Sequence, residues 1–416
     1  LSGSLDIDTN LTIIEGTLQT GKDETSDVTV DGTLNVQDGG TLVVRRSCTA
    51  CNDLGDGNGN TGAGQTITAG TLTIDSGGSI NANAQGFDPG AGPGDSGSRN
   101  GGSYGGVGGY GGVTLASTYG SMTNPTSLGR PGSGDATEAG GGAITLDITG
   151  TATVSGNLSA NGGTAPSSSN RGAGSGGSLN ITTDTLTGNG TISANGGAGD
   201  SQGGGGGGGR ISLDGVSTDL FTGNLIVTGG TKGGNSGRGY AGTVYLNSAK
   251  RASLTIGGSG NLSSLRLGSD NISDYTFGAI TIQSGGTLEV DGNPLMNSSN
   301  GGAATITLTT LDVQSGGTLT ADELGFDDQQ PSPGSSTGRT GGAYGGEAGT
   351  GSGGGATATT YGSITNPIYL GSSGGQSGGG AIIISASGAI TVNGTISATG
   401  ETAGTNGSGG SGGTVN

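Results

Sequence analysis

One phrase recurs four times between residues 140 and 246, and it decides the fold: GGAITL (141–146), GGSLNI (176–181), GGRISL (208–213) and AGTVYL (241–246). Each copy has two small residues, one variable residue and an apolar-x-apolar ending. Measured from one variable residue to the next, the copies are 35, 32 and 33 residues apart. A period in this range is typical of a solenoid, in which each repeat buries its apolar face against its neighbours.

The apolar residues of these phrases alternate with polar ones. Ile144, Leu146 and Ile148 are separated by Thr145 and Asp147, which is the period of a β-strand. We therefore predict an all-β chain, built as a right-handed parallel β-helix (β-solenoid) with long glycine-rich inserted loops. The apolar residues of the four phrases should point inward and stack in columns: Ile144, Leu146, Leu179, Ile181, Ile211, Leu213, Val244 and Leu246.

A longer repeat encloses the short one. QDGGTL at 37–42 returns as QSGGTL at 283–288, and YGSMTNP at 119–125 returns as YGSITNP at 361–367. The two offsets, 246 and 242 residues, indicate a super-repeat of roughly 240 residues. The second copy breaks off part-way, so we expect the parent chain to continue.

This super-repeat divides the chain into a first unit, 1–273, and a second, incomplete unit, 274–416. Each unit contains a glycine-rich insert, at 86–140 and at 327–380. Because glycine lets backbones approach closely, extended glycine arms could pack side by side. We expect the inserts to project on one face, so that deleting Gly101–Gly112 leaves the fold intact but weakens assembly.

Five tyrosines accompany the glycine-rich inserts. They are Tyr104, Tyr110, Tyr119, Tyr344 and Tyr361. Two roles remain open for them. They could be the larger anchors of a contact between copies of the chain, or they could pack against the solenoid wall.

Composition limits the classes of function. Glycine accounts for 103 of 416 residues, and aromatic residues for 3%, so disorder is the competing interpretation, above all for the glycine-rich stretches. The net charge of −18 offers no basic patch for nucleic acid. No apolar run approaches the length of a membrane span, so we expect no membrane insertion of this segment.

The residue inventory is poor in catalytic groups. The chain has no His, the commonest general base, and no Trp for stacking against sugars. A glycosidase needs two carboxylates facing one cleft, whereas Asp147, Asp184 and Asp214 fall on separate repeats. We predict no enzyme and no cofactor, with a β-helix that binds or cleaves polysaccharide as the alternative.

Two short motifs near residue 50 have competing interpretations. Cys48 and Cys51 could form a local disulfide or an inert free pair, while a redox pair or half of a zinc site would need partners that the sequence lacks. Asp56, Asn58 and Asn60 have the alternating oxygen ligands of a calcium loop. The glycine and closing glutamate of such a loop are out of place, so a solvated Asx-Gly turn competes with calcium binding.

Threonine pairs occur in several strands, as in TLT at 71–73 and TITLT at 305–309. A threonine array would indicate binding to ice. In the sequence these pairs do not recur at one position of successive repeats, so we do not predict such an array.

The order of motifs resembles the glycine-rich β-repeats of very large surface proteins of bacteria and archaea. The resemblance is carried by Tyr119–Pro125, Gly140–Ile144, Asn157–Gly163, Thr191–Gly197 and Gly204–Ile211. It implies an extracellular fibre, sheath or adhesin shaft at the cell surface and transfers no catalytic residue. The expected partners are other copies of the chain, and surface polysaccharide is a further candidate.

Overall fold

The computed structural model describes residues 3–22, 24–47, 62–88, 90–93, 99–132, 139–167, 170–234, 236–270, 274–327, 330–334, 340–350, 358–403 and 408–416. Within these ranges the chain is nearly all β.

The strands of the first part of the chain are β1 Leu5–Ile7, β2 Leu11–Ile13, β3 Gly16–Gln19, β4 Val28–Val36, β5 Gly40–Val43, β6 Gln65–Ile74, β7 Ser79–Asn81, β8 Ala143–Val154, β9 Asn157–Ser159, β10 Ser178–Thr187, β11 Thr191–Ser193, β12 Arg210–Asp219, β13 Asn224–Ile226 and β14 Thr243–Tyr245. A short helix, α1 Ser248–Ala252, follows. The later elements are β15 Ser253–Ile256, β16 Ser264–Leu267, β17 Tyr275–Thr276, β18 Ala279–Ile282, β19 Thr287–Val290, α2 Met296–Ser299, β20 Thr305–Leu308, β21 Thr310–Val313, β22 Thr318–Thr320, β23 Ala381–Ala386, β24 Ile390–Val392, β25 Thr395–Ser397 and β26 Thr414–Val415.

The first fourteen strands form two sheets. One has the order β1-β4-β6-β8-β10-β12-β14, with β2 also on β4, and the other has the order β13-β11-β9-β7-β5-β3. From β4 to β13, consecutive strands of the chain alternate between the two sheets. Each such pair of strands is called a layer below. Every strand ladder among the described residues is parallel, so each layer is hydrogen-bonded to the layer before it and the layer after it.

The remaining strands form three sheets, ordered β15-β18-β21-β24, β16-β19-β22-β25 and β17-β20-β23-β26. The chain passes to these sheets at α1, where the Asn247 side chain caps the helix by accepting a bond from Lys250 N at 3.0 Å. This change of sheets falls inside the range 1–273 expected for the first unit. One continuous apolar core runs through both groups of sheets.

The predicted inward columns are confirmed. The register aligns Ile144, Leu179, Ile211 and Val244 directly across β8, β10, β12 and β14. All eight predicted residues are buried, with at most 1% of their surface exposed. Each side chain of this kind contributes about 1.5–3 kcal/mol when it is removed from water.

Both glycine-rich inserts leave the sheets at the same place. The first connects β7 to β8, and the second connects β22 to β23. After each insert the chain continues in the next layer. Leu72 pairs with Ala152, 80 residues later, and the equivalent Leu311 pairs with Ile390, 79 residues later. The super-repeat read from the sequence is therefore a repeat of strand register as well.

Candidate assembly surface

Part of the first insert is packed inside the molecule. Residues 101–109 are buried, and they lie against the glycine-rich segments 203–209 and 237–242 that connect the layers. The expectation that this insert projects from one face is wrong, because its backbone groups bond to those connecting segments. Gly106 N–H donates to Gly208 O at 2.8 Å, and Gly109 N–H donates to Gly205 O at 2.7 Å.

The hydrogen bonds of these segments follow a three-residue rule. Gly204, Gly205 and Gly206 donate to three different neighbouring segments, and the next three residues return to the same three neighbours. The six donor–acceptor pairs are Gly204–Arg99, Gly205–Gly237, Gly206–Gly197, Gly207–Gly102, Gly208–Tyr240 and Gly209–Ala194. Three residues per turn without internal bonds is the geometry of polyproline II. We call residues 99–109, 194–209 and 237–242 the glycine bundle.

Close packing explains the glycine content of the bundle. A Cβ atom on Gly206 would lie 1.9 Å from Gly174 O, and one on Gly207 would lie 2.1 Å from Gly106 O. Neither distance is compatible with a side chain. The prediction that glycine arms pack side by side is confirmed, and here the glycines serve packing and not disorder.

Two tyrosines hold the first insert against the sheet. Tyr104 is fully buried, its Oη lies 2.6 Å from Ser178 Oγ on β10, and burial raises its pKa. The Tyr119 ring lies 4.9 Å from the Tyr104 ring, tilted by 52°, and its hydroxyl donates to Leu128 O at 2.6 Å. Tyr110 is half-buried and accepts a bond from Gly237 N–H through its carbonyl.

The second insert repeats this arrangement. Tyr344 Oη lies 2.7 Å from Thr414 Oγ1, and the Tyr344 and Tyr361 rings are again 4.9 Å apart, tilted by 54°. The Tyr361 hydroxyl donates to Leu370 O. Of the two roles left open for the tyrosines, these contacts are those of packing within the chain.

A buried arginine connects the insert to both groups of sheets. Arg210 has no exposed surface, and its Nη1 donates to Asp270 Oδ2 at 2.8 Å and to Thr243 Oγ1 at 2.9 Å. Its Nε and Nη2 donate to Tyr119 O, and its guanidinium lies 5.4 Å from the Tyr104 ring centre. Sequence reasoning missed this residue. The available signal was that a charged residue takes the variable place of the recurring phrase, where the other copies have small residues.

A second set of ion pairs joins the two super-repeats. Arg238 pairs with the buried Asp291 at 3.0 Å, and its N–H donates to Asp327 Oδ2 at 2.7 Å. Lys232 pairs with Asp327 at 3.2 Å. Burial alone would lower the pKa of Arg238, but Asp291, Tyr240 and Asp327 together outweigh burial and raise that pKa. Asp291 and Asp327 of the second super-repeat thus bind Lys232 and Arg238, which belong to the last glycine-rich segment of the first.

The second insert is open where the first is covered. It keeps the internal bonds of the first, since Tyr344 N–H donates to Gly346 O and Gly341 N–H donates to Gly349 O. A Cβ on Gly345 or Gly346 would meet nothing within 4 Å. At the equivalent Gly106, a Cβ would lie 2.2 Å from Tyr240 O.

Four large apolar side chains of the second copy are also exposed. Ile364 is 97% exposed, whereas its equivalent Met122 is 6% exposed. Ile390, Val392 and Val415 are about half-exposed, whereas their equivalents in the first copy are buried: Ala152, Val154 and Leu179. In the first copy β10–β12 and the glycine run after β11 cover these positions. We call Gly345, Gly346, Ile364, Ile390, Val392 and Val415 the open face.

The structure assembles no catalytic group from the predicted candidates. Asp147, Asp184 and Asp214 are exposed on separate strands, and Asp214 pairs with Arg251 at 2.8 Å. Within the described ranges no three His, Cys, Asp or Glu side chains come together as a metal site. The cysteine pair Cys48 and Cys51 and the calcium candidates Asp56, Asn58 and Asn60 lie outside the described residues.

Comparisons with known proteins give no relative: no protein family, no curated protein and no solved structure matches this chain. In the part of the chain that the structure describes, no helix has the length and apolar character needed to cross a membrane.

Proposed function

We propose that the chain is a structural segment of a large, repetitive extracellular protein, folded as a right-handed β-solenoid that forms a fibre, sheath or adhesin shaft. The observation that carries the proposal is the strand order. Each layer pairs in parallel with its two neighbouring layers, and its apolar residues stack on theirs. A layer of this kind cannot bury its core alone, so the fold grows by addition of layers.

The first copy shows what covers the positions of the open face. In the first copy, the same positions are covered by a further layer and by glycine segments whose backbones supply the bonds. An exposed strand edge with apolar side chains is a template for pairing with another chain. The proposed partner of the open face is therefore a layer of the same kind.

The proposal is tested by sedimentation of the purified chain over a range of concentrations, with electron microscopy of the largest species. We expect association that increases with concentration. The double variant Ile390→Lys/Val392→Lys places charges on the edge strand β24 and should remain monomeric. Val113→Lys, on an exposed residue of the first insert, is the matched control and should associate like the unchanged chain.

A chain that stays monomeric at every concentration, or a β24 variant that associates as well as the control, would contradict assembly through the open face. The extracellular location follows from the resemblance to surface proteins, and secretion of the full-length protein tests it separately.

A further inference from the structure

Threonines recur at one position of five consecutive strands. Thr33 pairs with Thr71, and Thr185 pairs with both Thr151 and Thr218. The column is continuous because Leu72 and Ala152, the residues next to Thr71 and Thr151, also pair directly. The five strands are β4, β6, β8, β10 and β12. The sequence-based expectation that no such array exists is wrong, because the insert between β7 and β8 hides the spacing.

A second column runs beside the first, two residues further along each strand. It contains Asn35, Thr73, Thr153 and Thr187, paired in that order. The residues between the two columns are Leu34, Leu72, Ala152 and Leu186, and all are buried. Since side chains alternate along a strand, both columns point outward. We call the nine outward residues the threonine face: Thr33, Asn35, Thr71, Thr73, Thr151, Thr153, Thr185, Thr187 and Thr218.

The threonine face is a regular lattice of hydroxyl and methyl groups. Neighbouring strands are about 4.8 Å apart, and residues two apart on a parallel strand are about 6.6 Å apart. Oγ1 of Thr33 and Oγ1 of Thr71 lie 2.8 Å from each other. Threonine is β-branched and stiff at χ1, so binding through this lattice would cost little side-chain entropy.

The fold does not require threonine at these positions. The second copy pairs its strands in the same register with Ala279 at the place of Thr33 and Asp312 at the place of Thr73. Ala389 stands where the first copy has Thr151, directly before Ile390. The second copy keeps threonine at only three of the equivalent positions, Thr281, Thr310 and Thr391, so the unbroken double column belongs to the first copy.

The charge and periodicity of the face limit what it can recognise. The chain carries a net charge of −18, yet none of the nine positions is charged, so the face suits an uncharged partner. A lattice that repeats in two directions suits a solid that also repeats in two directions. It contains no aromatic ring, whereas a crystalline polysaccharide would call for stacking platforms. We infer that the threonine face binds the surface of ice crystals, a solid whose oxygen atoms also repeat in two directions.

The experiment measures how much of the purified chain enters a slowly growing body of polycrystalline ice, and whether the chain changes the shape of single ice crystals near the melting point. We expect the unchanged chain to be enriched in the ice. The variant Thr71→Lys/Thr185→Lys should be excluded from it like an inert protein. Lysine at these outward positions is compatible with folding, because the second copy accepts Asp312 at such a position, and circular dichroism checks this.

The matched control is Thr281→Lys/Thr310→Lys, which makes the same change of charge on outward strand positions of the second copy. It should enter ice like the unchanged chain. Exclusion of the unchanged chain from ice, or equal incorporation of the two lysine variants, would overturn the inference. Binding to crystalline cellulose or chitin that is lost in Thr71→Lys/Thr185→Lys, without any effect on ice, would also overturn it. The outcome is independent of the proposed assembly, because the threonine face and the open face share no residue.

Discussion

Equivalent glycines of the two super-repeats have different surroundings. Replacing each glycine by alanine, which adds one methyl group, tests this difference. We expect Gly106→Ala to destabilise the chain by about 1–3 kcal/mol, because the added Cβ would lie 2.2 Å from Tyr240 O. Gly346→Ala should be neutral or should stabilise by a few tenths of a kcal/mol, because the Cβ meets nothing within 4 Å.

The measurement is the urea midpoint of unfolding for the two variants and the unchanged chain. Equal midpoints for Gly106→Ala and Gly346→Ala would show that the first insert is not packed as described.

The buried arginine gives a second prediction at this scale. Arg210→Met should cost about 3–5 kcal/mol, since it removes the cation that pairs with the buried carboxylate of Asp270. The double variant Arg210→Met/Asp270→Asn should lose less than the two single variants together. Thermal unfolding of the four chains forms a double-mutant cycle. Strict additivity would contradict a direct pair between Arg210 and Asp270.

The inward residues could be predicted from the sequence, but the environment of the buried charges could not. Ile144 and Leu179 are marked by strand periodicity within one repeat, which is local information. The surroundings of Arg210 come from Tyr119, about ninety residues earlier in the chain, and from Asp270, sixty residues later. No periodic pattern in the sequence encodes either contact.

At the scale of elements, the start of the first insert is held by an ion pair. The buried Arg46 donates to Gly86 O at 2.9 Å and pairs with Asp88. The hydrogen bond from Arg46 holds the pKa of Asp88 below its usual value of about 3.9. Because the folded pKa is the lower one, the stabilisation is present above about pH 4 and is lost as the pH falls through the folded pKa.

We therefore expect Asp88→Asn to lower the unfolding midpoint at neutral pH, and the difference from the unchanged chain to shrink at acid pH as Asp88 becomes protonated. Midpoints of both chains at the two pH values check this. Asp75→Asn, which changes the charge equally in the same part of the chain, is the control. A difference between Asp88→Asn and the unchanged chain that persists at the lowest pH would contradict the pairing.

The positions of the strands could be predicted more readily than their pairing. The short period locates β8, β10, β12 and β14, because they follow one another at 32–35 residues. The insert of about sixty residues between β7 and β8 separates Thr71 from Thr151, so the sequence alone does not reveal that they share a column. The burial of residues 101–109 of the insert could not be predicted, because glycine runs carry no side chains from which a buried face could be inferred.

At the scale of the whole molecule, the first copy shows how the second can be covered. Residue 416 is equivalent to residue 180, so residues 181–246 can be appended directly after Asn416. We expect the extension to raise the thermal midpoint and to reduce binding of a dye that reports exposed apolar surface, because it would cover Ile364, Ile390 and Val392.

The control is the same extension with Ile211→Lys and Leu213→Lys in the appended copy, which prevents stacking of the new layer. The equivalence of the two copies would be contradicted if the extension left dye binding unchanged. It would also be contradicted if the control raised the thermal midpoint and reduced dye binding as much as the intact extension does.

The glycine bundle has a consequence for behaviour in the cold. The stability of most proteins rests on burial of apolar surface, which gives unfolding a large positive heat capacity change. Because of this change, the free energy of unfolding falls at low temperature. The bundle buries peptide groups, and exposure of polar surface lowers that heat capacity change. The free energy of unfolding should therefore vary less with temperature than is usual for a chain of this length, and the temperature of cold denaturation should lie correspondingly lower.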